Sequence, residues 1–220
     1  MPDRPARPDR PLLLLPREMP RRRAAGGHKT LALLHSVAHI ELNAIDLAWD
    51  LIARFGPTLP DTALDDWVSV AAEEALHFEL LTVRMAALGG AYGDLPAHDG
   101  LWQAAIATSG DQLARLAIVP LVLEARGLDV TPGMIETFGR HGDAETVAVL
   151  ERIYHDEIGH VATGMRWFRW ACEDAELAPR ETWQALVRQY FKGALKPPFN
   201  IPGRTAADFP SSYYESLGIA

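Results

Sequence analysis

Two copies of the motif Glu-x-x-His are the first candidates for a metal site in this chain. They run from Glu74 to His77 and from Glu157 to His160. Residues three apart share a helix face, so each copy on a helix would direct a carboxylate and an imidazole to one metal ion. A lone copy is also common among the charged residues of a solvated helix face. The metal hypothesis therefore depends on the rest of the chain.

Two more glutamates, Glu41 and Glu124, complete a repeated pattern. Both lie among apolar neighbours, where an unpaired carboxylate is costly. Glu41 precedes Glu74 by 33 residues, and Glu124 precedes Glu157 by the same 33. In an antiparallel hairpin of two helices, with a rise of about 1.5 Å per residue, Glu41 and Glu74 would meet at one level. Glu124 and Glu157 would meet similarly if the break from Gly127 to Pro132 is only a kink. The pattern predicts a site for two metal ions, and solvated charges on helix faces are the alternative.

The donor set also indicates which metal would bind. Mixed carboxylate and imidazole donors favour iron, with manganese or a mixed manganese and iron pair as the competitor. Zinc would prefer fewer ligands in a tetrahedral site. The predicted ligands are Glu41, Glu74, His77, Glu124, Glu157 and His160.

Other polar residues near the motifs have supporting roles in this prediction. Glu73 and Asp156 each lie four residues before a motif histidine, so each could accept its second ring N–H, or could be a solvated acid. Tyr154 lies one turn before Glu157 and either borders the site or is an ordinary core tyrosine. We expect a separate stripe on the first helix to be hydrogen-bonded or to face another element, and not to bind metal; it consists of His35, His39, Asp46 and Asp50. His155 is expected to point away from Glu157 and not to be a ligand either. The basic side chains of Arg84, Arg126 and Arg166 could anchor a substrate or form salt bridges.

Helices must carry these residues. Apolar residues recur at three- and four-residue spacing, and no stretch alternates as a half-buried strand does. On the second helix, Val68 and Ala75 are predicted to lie on the apolar side. Pro120 should bend the third helix, which weakens from Gly127 to Pro132. The predicted helices cover about 28–55, 61–88 (with Asp61 as N-cap), 101–108, 111–139, 143–174 and 179–196, and the tail from 199 is predicted to be ordered coil.

Composition and charge indicate which partners and which cellular location to expect. The 220 residues carry a net charge of −8, which argues against broad nucleic-acid binding. Residues 1–30 carry eight Lys and Arg against three Asp and Glu. This basic, Pro-rich arm is predicted to wrap the domain or a neighbouring subunit, with an RNA contact as the minority interpretation. One cysteine excludes a disulfide framework, and no apolar run of the roughly 20 residues needed to span a bilayer is evident, so we expect a cytoplasmic protein and no membrane contact.

The predicted architecture is all-α. Four long helices with one long crossover connection form an antiparallel bundle, accompanied by a short fifth helix and extended N- and C-terminal segments. The predicted parts are an extended Pro/Arg-rich arm (1–27), the di-metal bundle (28–175), and a short helix with a coil tail packed on the bundle (176–220).

The motifs resemble those of the ferritin-like superfamily over about 28–175. More narrowly, the chain is similar to a bacterial ferritin-like family known as domain of unknown function 455. That resemblance rests on four stretches: His35 to Leu42, Glu73 to Phe78, Tyr154 to His160 and Lys196 to Asn200. It implies that Glu74 and Glu157 bridge the two ions, with Glu41 and His77 serving one ion and Glu124 and His160 the other. The acid before each Glu-x-x-His also resembles bacterial multicomponent monooxygenases.

The resemblance implies a carboxylate-bridged di-iron protein that acts on dioxygen or peroxide. The first hypothesis is an O₂-activating oxidase or hydroxylase of an unknown small molecule, with an electron-donor reductase as a possible partner. A tRNA hydroxylase is a variant of this first hypothesis. The second hypothesis is a ferroxidase, an iron-handling protein or a peroxide-detoxifying protein, and the third is a non-catalytic metal-binding bundle. A homodimer is a further expectation.

Overall fold

The computed structural model describes residues 4–15, 18–19 and 27–218. It divides into two compact units, residues 1–103 and 104–220. The described residues are mostly helical, which agrees with the predicted all-α class. A small sheet of two-residue strands is the exception that the sequence pattern did not predict. The predicted domain boundaries at 27 and 175 stay a prediction.

A helical hairpin forms the centre of the first unit. Helix α1 spans Gly27–Phe55 and helix α2 spans Asp61–Ala87, with a 3₁₀ turn at Gly56–Thr58 between them. The turn is short, so the two helices run antiparallel and pack on each other. The N-cap of α2 is Pro60, not Asp61 as predicted, and Asp61 instead places its negative charge in the first turn. The backbone leaves α2 through Gly89, whose φ of +79° suits a residue without a side chain.

The described part of the N-terminal arm packs on this hairpin. Strand β1 (Leu13–Leu14) pairs in parallel with strand β2 (Ala97–His98). Arg7 forms a salt bridge of 2.6 Å with Asp46 of α1, and Arg4 forms one of 2.7 Å with Asp99. The arm is therefore tied by backbone and charged contacts to its own unit.

The second unit contains the other predicted hairpin, with one difference in the helix geometry. After α3 (Gly100–Ala107), helix α4 (Gln112–Ile118) leads into a π-helical segment (Val119–Glu124) and then α5 (Ala125–Arg140). The sequence prediction of a weak region from Gly127 to Pro132 is wrong, because α5 runs through both residues. The irregularity lies earlier, where Pro120 at the start of the π-helical segment cannot donate a backbone hydrogen bond.

Three more helices complete the second unit. Helix α6 spans Ala144–Asp174 and packs on α4 and α5; α7 spans Pro179–Tyr190 and α8 spans Ile201–Ala206. The predicted fifth helix thus ends earlier than expected. The predicted coil tail is only partly coil, because α8 and a 3₁₀ turn at Glu215–Leu217 lie within it. Asn200 caps α8 by accepting a hydrogen bond from the backbone N–H of Gly203.

A buried arginine fixes the C-terminal tail to α5. Arg204 is 3% exposed and forms two hydrogen bonds to the carboxylate of Asp129, at 2.8 and 2.7 Å. Its guanidinium carbon lies 4.4 Å from the ring centre of Tyr214 and about as close to two phenylalanine rings. Because both charges are paired in a setting shielded from water, this contact is expected to hold the tail firmly.

One helical stretch of the described residues, Lys29–Thr58, is long and apolar enough to cross a membrane by length and composition. The sequence pattern alone did not predict a stretch of this kind. Within its most apolar window, 56% of the residues are buried inside the protein, which is consistent with a core helix of a soluble protein. The cytoplasmic location stays a prediction.

Candidate metal centre

The first unit brings Glu41, Glu74 and His77 together. Glu41 lies on α1 and the other two lie on α2, and their exposed fractions are 3%, 0% and 0%. Nδ1 of His77 is 3.3 Å from Oε2 of Glu41 and 3.4 Å from Oε2 of Glu74. The ring therefore presents one nitrogen to both carboxylates. An imidazole and two carboxylates in this arrangement are donors that iron and manganese accept.

Burial and neighbouring charges shift the pKa values of Glu41 and His77 in this cluster. Burial and the negative charge of Glu74 raise the pKa of Glu41 well above its usual value. Burial lowers the pKa of His77, but the two carboxylates outweigh it and raise that pKa to about 10. Without a cation, protons must balance the two acids. A metal ion could replace those protons, because carboxylates and imidazole bind metals in their deprotonated forms.

The second unit carries the matching motif on α6. Glu157 and His160 are 7% and 1% exposed, and Nδ1 of His160 is 3.9 Å from Oε2 of Glu157. A Cβ added at Gly127 of α5 would lie 3.9 Å from the carboxyl carbon of Glu157, so α5 passes close to this carboxylate. Glu124 is half-buried and ends the π-helical segment. Single π-helical turns within α-helices are frequent at functional sites.

A group of four buried side chains, Glu41, Glu74, His77 and Glu157, could hold a metal ion. These are four of the six ligands predicted from sequence. Glu124 and His160 are not part of that group, and their role as ligands stays a prediction. The number and identity of the ions also stay predictions.

The residues predicted to support the ligands have other contacts in the structure. Asp156 accepts a hydrogen bond of 2.6 Å from Nε of Arg152, one turn earlier on α6. The hydroxyl of Tyr154 lies 2.8 Å from Nδ2 of Asn200, which links α6 to the C-terminal tail. Glu73 is half-buried on α2. The proposed hydrogen bonds from His77 to Glu73 and from His160 to Asp156 stay predictions, as does a place for Tyr154 beside the metals.

The polar stripe on α1 has the structural role expected of it. Nε2 of His39 lies 3.2 Å from the backbone carbonyl of His98, so this nitrogen donates and Nδ1 accepts from the hydroxyl of Tyr92 at 2.8 Å. Burial lowers the pKa of His39 to about 4, which keeps the ring neutral. His35 accepts from the backbone N–H of Gly93 at 3.0 Å. Asp46 and Asp50 pair with arginines.

Sequence reasoning missed the π-helical segment and the tail contacts beside the motif helices. Pro120 in mid-helix was a signal for the first, although it could not show which irregularity would follow. The tail contacts, such as Asn200 to Leu128 and Tyr154, join residues 46 or more positions apart, and no local pattern indicates them.

Comparison with known proteins places the chain in a family. The sequence profile described as "Protein of unknown function (DUF455)" matches residues 1–215. The chain belongs to the DUF455 family. This DUF455 protein is also 39% identical over 212 residues to an "Uncharacterized protein" of Haemophilus influenzae, covering 92% of this chain and 72% of that relative. No solved structure matches it.

Proposed function

We propose that this DUF455 protein is a ferritin-like four-helix bundle that holds two iron ions and uses them to activate dioxygen as an oxidase or hydroxylase. The observation that carries the proposal is the fully buried cluster of Glu41, Glu74 and His77, with a second Glu-x-x-His buried on α6. Buried charges of this kind are rare unless they are paired or bind a metal. Manganese, alone or with iron, is the competing metal.

The repeated spacing of the proposed ligands supports a site for two metal ions and not for one. Each unit has one helix with a single glutamate and another with Glu-x-x-His, and the three positions repeat with an offset of 83 residues. Six ligands with four carboxylates suit two divalent ions. In the proposed arrangement Glu74 and Glu157 would serve both ions. Glu41 and His77 would hold one ion, and Glu124 and His160 would hold the other.

When bound, iron would supply the electron transfer to dioxygen that no side chain of this protein can perform. The chain would position the ions through helices on which five of the six proposed ligands are almost fully buried, all but Glu124. It would also exclude water, which strengthens electrostatic interactions in the site. His77 would release its proton when metal binds, and Glu41, whose pKa is raised by burial and by the charge of Glu74, would release one where it is protonated. An external electron donor and an unidentified small substrate complete the proposal, and a tRNA substrate is its least favoured form.

Iron loading tests the proposal. The metal-free protein is given Fe(II) without oxygen, then exposed to oxygen while oxygen uptake, iron content and assembly size are measured. Two irons per chain and oxygen uptake without an iron core are expected. A large hollow assembly with an iron core would instead favour a function as a ferroxidase and iron-storage protein. Bound iron without oxygen or peroxide uptake would favour a non-catalytic bundle, and absence of iron, or a lone zinc, would refute the di-iron site.

Substitution of a bridging residue tests the ligand assignment. Glu74→Ala or Glu157→Ala should abolish binding of both ions, because each carboxylate is proposed to contact both. Glu136→Ala is the matched control, since Glu136 is an exposed glutamate on α5 with a side chain that is 72% exposed. Loss of only one ion in either variant would contradict the bridging role and leave a metal site in place.

A further inference from the structure

A cavity between the N-terminal arm and α1 is separate from the metal ligands. Its volume is about 160 Å³, and its walls come from the arm, from α1, from the loop that precedes α3 and from α3 itself. A buried water needs about 10–15 Å³ by the same measure, so the cavity has room for a small organic molecule. The residues from α1 are His39 and Asn43, and the aromatic walls are Tyr92 and Trp102.

Arginines at three-residue spacing line one side of this cavity. Arg4, Arg7 and Arg10 are each followed by proline, and all three arginines contribute to the cavity wall. An extended polyproline chain has three residues per turn, so residues at this spacing lie on one face. The Arg-Pro repeat thus explains why one short segment brings three positive charges to one place. Asp99 is the acidic residue of the wall, and it pairs with Arg4.

Two of these guanidinium groups retain hydrogen-bonding capacity. Arg7 uses Nη2 to contact Asn43 at 3.0 Å and Asp46 at 2.6 Å. Its other terminal nitrogen, Nη1, is buried and has no acceptor among the described residues. A buried charged donor without an acceptor costs free energy. Arg10 is exposed, and it has no ion pair or side-chain hydrogen bond within the described part of the chain.

We propose that this cavity binds a small oxyanion, a carboxylate or phosphate group of a ligand, through Arg7 and Arg10. A guanidinium is planar and donates two parallel hydrogen bonds to such a group. The neutral walls of Tyr92 and Trp102 would contact the remainder of the ligand. His39 does not donate to it, because both of its ring nitrogens are already engaged. The site is independent of the proposed di-iron chemistry.

Calorimetric titration of the full chain tests the proposal, with inorganic phosphate and acetate as probes at constant ionic strength. One saturable site per chain is expected, and the probe that binds more tightly identifies the phosphate or carboxylate source. Arg10→Ala should weaken binding at least about tenfold, equivalent to about 1.4 kcal/mol. This variant removes no ion pair or side-chain hydrogen bond between described residues. Arg7→Lys keeps the charge but loses the forked donor, and should also weaken binding.

Arg140→Ala is the matched control. Arg140 is a surface arginine of α5 in the second unit, 67% exposed and 3.9 Å from Glu136. Its removal lowers the net charge by the same amount as Arg10→Ala and should leave binding unchanged. The proposal is overturned by absence of saturable binding for both probes. Equal affinities of the Arg10→Ala and Arg140→Ala variants would overturn it as well, because binding would then follow only the overall charge.

Discussion

Metal binding to this protein should release protons, and the size of the effect follows from His77. The carboxylates of Glu41 and Glu74 raise the pKa of His77 to about 10, so the metal-free ring is protonated at neutral pH. A metal ion needs the neutral ring and must displace that proton. Neutral pH lies about three units below this pKa, and one unit corresponds to about 1.36 kcal/mol. Displacement therefore costs about 4 kcal/mol at neutral pH.

The pH dependence of affinity has a definite sign and slope. Below the pKa of His77, each unit of added pH should raise the association constant about tenfold for this one proton. Glu41 has a pKa raised by burial and by the charge of Glu74, so it adds to the slope where it is still protonated. We expect one to two protons released per cluster. Calorimetry with Mn(II), which avoids oxidation, in buffers of different ionisation enthalpy counts those protons.

Two variants make the measurement specific. Glu41→Gln keeps an oxygen donor but removes one acidic group and one cause of the high pKa of His77, so proton release should fall. His141→Ala is the control, since His141 is exposed and contacts only the backbone carbonyl of Thr137 among the hydrogen bonds that are described. A metal affinity that stays constant between slightly acidic and slightly basic pH would refute the account, as would equal proton release from the wild type and Glu41→Gln.

Three further predictions concern stability. The raised pKa of His77 stabilises the metal-free protein fully below pH 6.5, and this contribution is lost as pH rises towards 10, so urea denaturation should show a falling free energy of unfolding over that window; a rising value would contradict it. Arg204→Met should cost about 3–5 kcal/mol in the same assay, because Asp129 stays buried without its main cation, and an added Asp129→Leu should recover part of the loss. Gly203→Ala should cost about 1–3 kcal/mol, because its Cβ would lie 2.7 Å from a tyrosine hydroxyl, whereas Gly133→Ala meets no atom within 4 Å and should stabilise α5 by about 0.5–1 kcal/mol. Equal effects of the two glycine substitutions would show that the tail does not pack as described.

The sequence predicted the main helices well because helix formation leaves a local signal. The apolar spacing predicted α1 and α2 to within a few residues. The same reasoning misplaced part of the buried face of α2. Val68 and Ala75 were predicted to be inside and are exposed, whereas Glu74 and His77 are fully buried. A pattern that counts only apolar residues cannot assign polar side chains to a buried face.

In the candidate site, too, some features could be predicted from the sequence and others depend on the tertiary structure. Identical spacing of Glu41 to Glu74 and of Glu124 to Glu157 indicated the candidate ligands, because a metal site would fix residue types at positions that helices repeat regularly. The contact of His77 with Glu41, at 3.3 Å, depends on how the two helices of the hairpin pack on each other. Its consequence is a raised pKa for the histidine, because the hydrogen bonds and charges of the two carboxylates outweigh the opposing effect of burial.

By itself, therefore, the sequence determined the helices, their hairpins and the chemical types of the candidate ligands. All of these follow from interactions within a few turns of one chain segment. Only the tertiary structure decided that Pro120 begins a π-helical segment ending at Glu124, that Arg204 of the tail is buried against Asp129 of α5, and that the arm arginines line a cavity on α1. Those features depend on packing between residues distant in sequence, where burial and charge outweigh local preference.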